Sequence, residues 1–187
     1  DSGIKTPADF AGKTIGIQGT ARPLLDAVLA KYQVPRDKVN VIIIGGTTTP
    51  LLTKQADVVT GWVINYAQNL PIEGKSSHFL LWDLGIRMYA YTYFTTDQVF
   101  NTKKDVLTRY VSAAAKGWLY AKDHPEEAVD YVMKSASGLE RDMEVPTWKV
   151  SIPYLSSPAT QQQGWGYMDP QVWGNLSDTY ASLDQIP

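Results

Sequence analysis

Between Lys13 and Val59 the sequence alternates short apolar runs with helical stretches, and this alternation restricts the fold more than any other feature. KTIGI (13–17), VNVIII (39–44) and ADVV (56–59) have the composition of strands. A helical pattern runs from Ala21 to Tyr32 with Leu24, Leu25, Val28 and Leu29 on one face, and Pro35 closes it. A shorter helix spans Pro50 to Gln55. Strand, helix, strand, helix, strand with short connections predicts an α/β fold: a parallel sheet whose crossover helices cover its faces. The unbroken apolar run at 41–44 predicts a central strand buried on both sides. Upstream, Thr6-Pro7-Ala8-Asp9 combines an N-cap, a proline at the first helical position and an acidic first turn, with Gly12 as the stop.

After Tyr66 the pattern changes. FLLWDLGI (79–86) predicts another strand. MYAYTYFTTD (88–97) predicts a longer one with Tyr89, Tyr91 and Tyr93 on a shared face. Asn101 or Thr102 then caps a helix running to about Lys122, with Val106, Leu107, Tyr110, Val111, Ala114 and Trp118 on one stripe. A further helix starts at His124-Pro125 and stops at Gly138. Residues 140–151 and 170–183 have helical patterns, and PYLSSPATQQQGWGYMDP between them has the composition of a loop. The expected division is an α/β lobe over 1–88 and a helix-rich remainder over 89–187 with too few strands to cover its own helices.

Composition removes several functions. The chain has 187 residues, no cysteine and a net charge of −2. Disulfides, zinc–thiolate sites, iron–sulfur clusters and a catalytic cysteine are thereby excluded. No block of like charge marks a nucleic-acid or anionic-membrane surface, so no nucleic-acid partner is expected. The two histidines, His78 and His124, have no metal-ligand spacing, so neither a metal nor a cofactor is expected. No Gly-x-Ser-x-Gly elbow or Ser/His/Asp set is present, so no enzyme is expected.

In open α/β sheets, ligands sit beyond the carboxyl ends of the strands. Three such ends are available. Gln18-Gly19-Thr20-Ala21-Arg22 follows the first strand and opens a helix, whose free N–H groups can meet an anion while Arg22 adds charge. The same turn also reads as a plain N-cap with a solvated arginine. Gly45 to Thr49 follows the second strand and offers Thr47 to a ligand or to a cap. After the third strand come Trp62, Asn65 and Tyr66. Trp62 can be a flat wall for a ring, and Asn65 can donate and accept in one plane. Alternatively Trp62 packs beneath its own loop and Asn65 caps the next helix. Tyr91 is a further candidate from the tyrosine strand, which can equally be a half-buried face.

The segments GIKTPADFAGKTIGI, QADVVTGW followed by an asparagine, YTYFTTD, KDVLTRYVSAAAKGWLYAKDHPEEAVDYVMK and GWGYMDPQVW occur in this order. In that order they resemble the extracytoplasmic substrate-binding proteins of ABC importers, in the subgroup serving thiamine-pyrimidine precursors, sulfonates, taurine and nitrate. The resemblance implies a type II periplasmic-binding-protein-like fold of two α/β lobes with a small-molecule ligand in the cleft between them. It implies an ABC permease as partner and a periplasmic or extracytoplasmic location. It also places TPADFAGKTIGI at the opening of the second lobe, so this chain is expected to hold that lobe whole and the first lobe in part, with self-association a consequence. The surplus of Tyr and Trp points to a planar pyrimidine-like ligand, and Arg22 to a sulfonate as the alternative. Two enzymes of this general fold, the fungal pyrimidine synthase of thiamine biosynthesis and porphobilinogen deaminase, rely on cysteines that this chain lacks. The effector domain of a LysR-type regulator is the alternative of another class; it would follow a helix-turn-helix segment, and none is visible here.

Overall fold

The computed structural model describes residues 2–186. The chain divides into two compact units, Asp1–Met88 with Pro170–Pro187, and Tyr89–Asp169.

The first unit is built on a three-stranded parallel sheet. Its strands are β1 (Thr14–Ile17), β2 (Asn40–Ile43) and β3 (Val58–Val59), in the order β2-β1-β3. Thr14 lies opposite Asn40 and Ile17 opposite Ile43, while Ile15 and Gly16 lie opposite Val58 and Val59. Helix α1 (Arg22–Lys31) follows β1 and buries Leu25, Ala27, Val28 and Leu29. These residues join Phe10, Ile15, Ile17, Val34, Val39 and Ile86 in one core. Two single-turn helices follow, α2 (Thr49–Leu52) and α3 (Tyr66–Asn69). Before β1, the Thr6–Asp9 signal produces a 3₁₀ turn over Pro7–Phe10, and the Asp9 carboxylate accepts from the N–H groups of Lys5 and Thr6, both at 2.9 Å.

The central strand is β1, not β2, which carries the apolar residues Val41 to Ile43. β2 lies at the edge of the described sheet, and its Ile43 is 70 % exposed. β1 can take the centre because Gly16 has no side chain. A Cβ placed there would lie 3.0 Å from Ile44 Cγ2 and 3.3 Å from Val59 Cγ1, so side chains from both neighbouring segments close over it.

Two expected strands are absent among the described residues. Residues 79–86 coil into a turn: Leu84 N–H donates to Leu80 O, Ile86 N–H donates to Leu81 O, and Gly85 reverses the chain at φ +76°. The apolar residues are still used, since Ile86 is buried and Phe79, Leu81 and Leu84 pack against the core. The 88–97 segment is broken at Tyr91, which adopts φ +57°. Its tyrosines therefore do not share a face. Tyr89 Oη accepts from Asp169 N–H at 2.7 Å, and Tyr93 packs on Tyr110 and Trp165.

The rest of the second unit is helical. Thr96 caps α4 (Asp97–Thr102) by accepting from Val99 N–H, and the long helix α5 (Lys104–Asp123) begins after Lys103, not after Asn101 or Thr102. α6 (Pro125–Ser135) and α7 (Arg141–Ser151) follow. The expected loop contains a 3₁₀ turn, Ile152–Leu155, and α8 (Pro158–Gln163), which starts from a Ser157–Thr160 capping box. The final helix α9 (Pro170–Ser182) belongs to the first unit, where Val172 is buried and Leu183 packs on the core.

The two units differ in what holds them. In the second, Val129 and Ser151 are the only buried described residues. Polar contacts and stacked rings tie its helices. Trp148 Nε1 donates to Ala121 O at 2.7 Å and its ring lies 5.6 Å from that of Trp118. Arg141 Nε donates to Asp130 at 2.7 Å, and Lys149 Nζ to Glu126 at 3.1 Å. Glu127 accepts from the hydroxyls of Tyr120 and Tyr131 at 2.7 and 2.9 Å.

Two outcomes follow from these contacts. Gly16→Val forces Ile44 and Val59 aside and is expected to lower the unfolding free energy by about 1–3 kcal/mol, measured by urea titration. The Tyr120 hydroxyl holds the Glu127 carboxyl below its ordinary value of 4.5, and Arg141 holds Asp130 below 3.8. Depressed carboxylates stabilise the fold above their unfolded values, and that stabilisation is lost as pH falls through the folded ones. The melting temperature of the helical unit should therefore drop as pH falls below 4.5. Tyr120→Phe should flatten that drop in circular-dichroism melts, and an unchanged profile would refute the assignment.

Candidate functional site

The carboxyl ends of the three strands lie side by side because the ladder runs on past the strands. Ile44 N–H donates to Ile17 O at 2.9 Å, and Thr60 N–H donates to Gly16 O at 2.9 Å. The Thr60 hydroxyl then accepts from Gln18 N–H at 3.2 Å. Gln18 is thus held by both its strand and the segment after β3. Its carbonyl accepts from Ala21 N–H at 2.8 Å, closing the Gly19–Ala21 turn that leads into α1. Gly19 and Thr20 are exposed on this turn.

A line of side-chain amides crosses the three ends. Asn65 Nδ2 donates to Gln68 Oε1 at 2.9 Å. The Gln68 amide reaches Gly46, where Nε2 lies 3.2 Å from the point a Cβ would occupy, and Gln18 Nε2 lies 3.7 Å from the same point. Gly46 leaves this space open, so both amide ends approach the same point. Asn65 accordingly does not cap α3 with its side chain.

The Trp62 loop is fastened from behind. Asn69 Nδ2 donates to the carbonyls of Trp62 at 3.0 Å and Val63 at 3.2 Å. Trp62 stands about half exposed, at 47 %, with its carbonyl accepting from Asn65 N–H at 3.0 Å, and Tyr66 is half-buried at the start of α3. Thr48 connects the second loop to α3, because its buried hydroxyl donates to Gln68 O at 2.7 Å.

The other candidates lie elsewhere or are engaged locally. The Arg22 guanidinium is directed along α1 to Asp26, at 3.7 Å, and Asp26 also pairs with Arg36 at 3.2 Å. Thr47 is exposed, and its hydroxyl meets that of Thr49 at 2.8 Å. Tyr91 belongs to the second unit and is 82 % exposed. The first unit therefore brings Gln18, Gly19, Thr20, Thr47, Trp62, Asn65 and Tyr66 to one end of its sheet.

Gln68, Thr60 and Asn69 were not candidates in the sequence, and Thr48 was included only as part of the Gly45–Thr49 loop. Their partners are non-local or across a turn, and only the amide-rich segment NYAQN (65–69) hinted at them.

The chemistry of this set is that of amides, hydroxyls and an indole. Such groups donate and accept in fixed planes and present a ring face, which suits a neutral polar ligand. Among the described residues no group of three or more His, Cys, Asp or Glu could hold a metal ion. His124 stacks on the Tyr120 ring in the other unit, 4.3 Å away.

The Thr48 hydrogen bond gives a direct check on this architecture. Thr48→Val keeps the shape and leaves the Gln68 carbonyl without its donor, and should lower stability by about 1 kcal/mol in urea titrations. An unchanged stability would mean that α3 is not held to the second loop through this bond.

A family model described as NMT1/THI5 like matches residues 1–128, a span that includes every candidate site residue. Among curated proteins, none matches the chain.

Proposed function

Given that the chain belongs to the NMT1/THI5-like family of periplasmic binding proteins, we propose that it captures a small, planar, polar heterocycle of the thiamine-pyrimidine-precursor class for an ABC permease. Membership supports the coarser statement on its own: a substrate-binding protein of ABC-type transport, from a family that is generally non-enzymatic and extracytoplasmic. No helix among the described residues is long and apolar enough to cross a membrane.

The observation that carries the finer reading is the amide line of Gln18, Gln68 and Asn65 together with the half-exposed Trp62. A pyrimidine ring has a flat face for the indole and in-plane nitrogens for the amides. Gly19 and Thr20 add backbone and hydroxyl donors at the edge, with Thr47 and Tyr66 around them. The sulfonate alternative draws less support, because Arg22, the one cation proposed for it, is paired with Asp26. A ligand held at about 1 μM has roughly 8 kcal/mol of binding free energy. Stacking on one indole contributes about 0.5–1.5 kcal/mol beyond the area it covers.

The test is calorimetric. A 4-aminopyrimidine and an alkyl sulfonate are titrated into the protein and into Trp62→Ala. The pyrimidine should bind the parent protein, and the variant should bind it about ten times more weakly, about 1.4 kcal/mol. Preference for the sulfonate would overturn the ligand class, and equal affinity of the variant would remove Trp62 from the site.

A further inference from the structure

Two glutamine side chains end over the same glycine. At Gly46 a Cβ would lie 3.2 Å from Gln68 Nε2 and 3.7 Å from Gln18 Nε2, whereas at Gly45 it would meet nothing within 4 Å. Gly46 is exposed, so a ligand can reach the space between the two amides.

Both glutamines are anchored at the backbone. Gln18 N–H donates to the Thr60 hydroxyl at 3.2 Å, and its carbonyl accepts from Ala21 N–H at 2.8 Å. The Gln68 carbonyl accepts from the Thr48 hydroxyl at 2.7 Å, and Thr48 belongs to the same loop as Gly46. The direction of the Gln68 amide is set by Asn65. Asn65 Nδ2 donates to Gln68 Oε1 at 2.9 Å, so the oxygen is occupied and the nitrogen is the end nearer Gly46. Among the described residues no acceptor is paired with Gln18 Nε2 or Gln68 Nε2.

Two N–H donors directed at one place call for an atom with two lone pairs. A carbonyl oxygen has two, a ring nitrogen one, and an N–H none. The amides are neutral, and Arg22 is turned to Asp26 at 3.7 Å. A carboxylate or sulfonate oxygen would lack a counter-charge here, and a neutral carbonyl does not need one.

Resting on the reading of this end of the sheet as a pyrimidine site, we infer that the ring is recognised through an exocyclic carbonyl oxygen, seated over Gly46 between Gln18 Nε2 and Gln68 Nε2. The preferred ligand is then an oxo-substituted pyrimidine, and a ring without the oxo group binds more weakly.

Cytosine and 4-aminopyrimidine test this directly. They share the amino group, and cytosine adds the oxo group with its ring N–H. Both are titrated by calorimetry at a pH where they are neutral. Cytosine should bind about tenfold more tightly, the contribution of two neutral hydrogen bonds. Gln68→Glu keeps the shape and the bond from Asn65 but sets an acceptor against the carbonyl. It should weaken cytosine at least ~10-fold and leave 4-aminopyrimidine little changed, so that the preference disappears. A merely structural defect would weaken both bases alike. Gly46→Ala places a methyl group 3.2 Å from Gln68 Nε2, where the oxygen would sit, and should have the same selective effect. Equal affinity of the two bases, or a Gln68→Glu protein that keeps its preference for cytosine, would overturn the carbonyl contact and leave the pyrimidine reading standing. Binding of neither base would overturn the pyrimidine reading and this inference with it.

Discussion

β1 is hydrogen-bonded along both edges, and the geometry of the first unit depends on that double pairing. It fixes β2 and β3 in register, so the segments leaving the three strands emerge together. The pairing does not stop at the strand ends. Ile17 and Gly16 carbonyls accept from Ile44 and Thr60, and Thr60 in turn receives the Gln18 N–H. The amide line is thus a continuation of the sheet, and the position of Gln18 is set by the ladder itself. Gly16 is the condition for this. With a side chain there, Ile44 and Val59 would have to shift for β1 to hold the centre.

Much of this was readable from residue order alone. The three short apolar runs, the α1 face and the helices after residue 100 other than α8 leave local periodic signals, and each of these elements overlaps its signal. What failed depended on partners. Residues 79–86 have the apolar content of a strand, but that content is equally satisfied when Phe79, Leu81, Leu84 and Ile86 cap a core from a turn. The tyrosine segment alternates as a strand does, yet Tyr89, Tyr91 and Tyr93 have three different surroundings, because alternation does not supply an edge to pair with. β2 is apolar from Val41 to Ile43 and still lies at the edge of the described sheet, since composition reports the capacity for burial and not the neighbours. For the site, Trp62 and Asn65 were legible as unusual residues past a strand end. Gln68 and Asn69 were not, and Thr48 was legible only as one hydroxyl of its loop, because their partners lie in other loops or across a turn.

The two units also represent two ways of keeping a small structure together. The first has a core of interdigitated aliphatic residues around β1 and α1. The second relies on Trp148, the Arg141–Asp130 pair and the tyrosine hydroxyls on Glu127, contacts that lie close to solvent and respond to pH and salt.

The Asn69 amide has a consequence for recognition that its modest geometry conceals. By holding the Trp62 and Val63 carbonyls, it fixes the indole-bearing backbone before any ligand arrives. The conformational entropy of that loop is then lost at folding, so under the proposed function a ring meeting the indole would keep more of its contact energy as affinity. Loops released from such a clamp would recognise the same molecule with the same contacts and hold it less tightly.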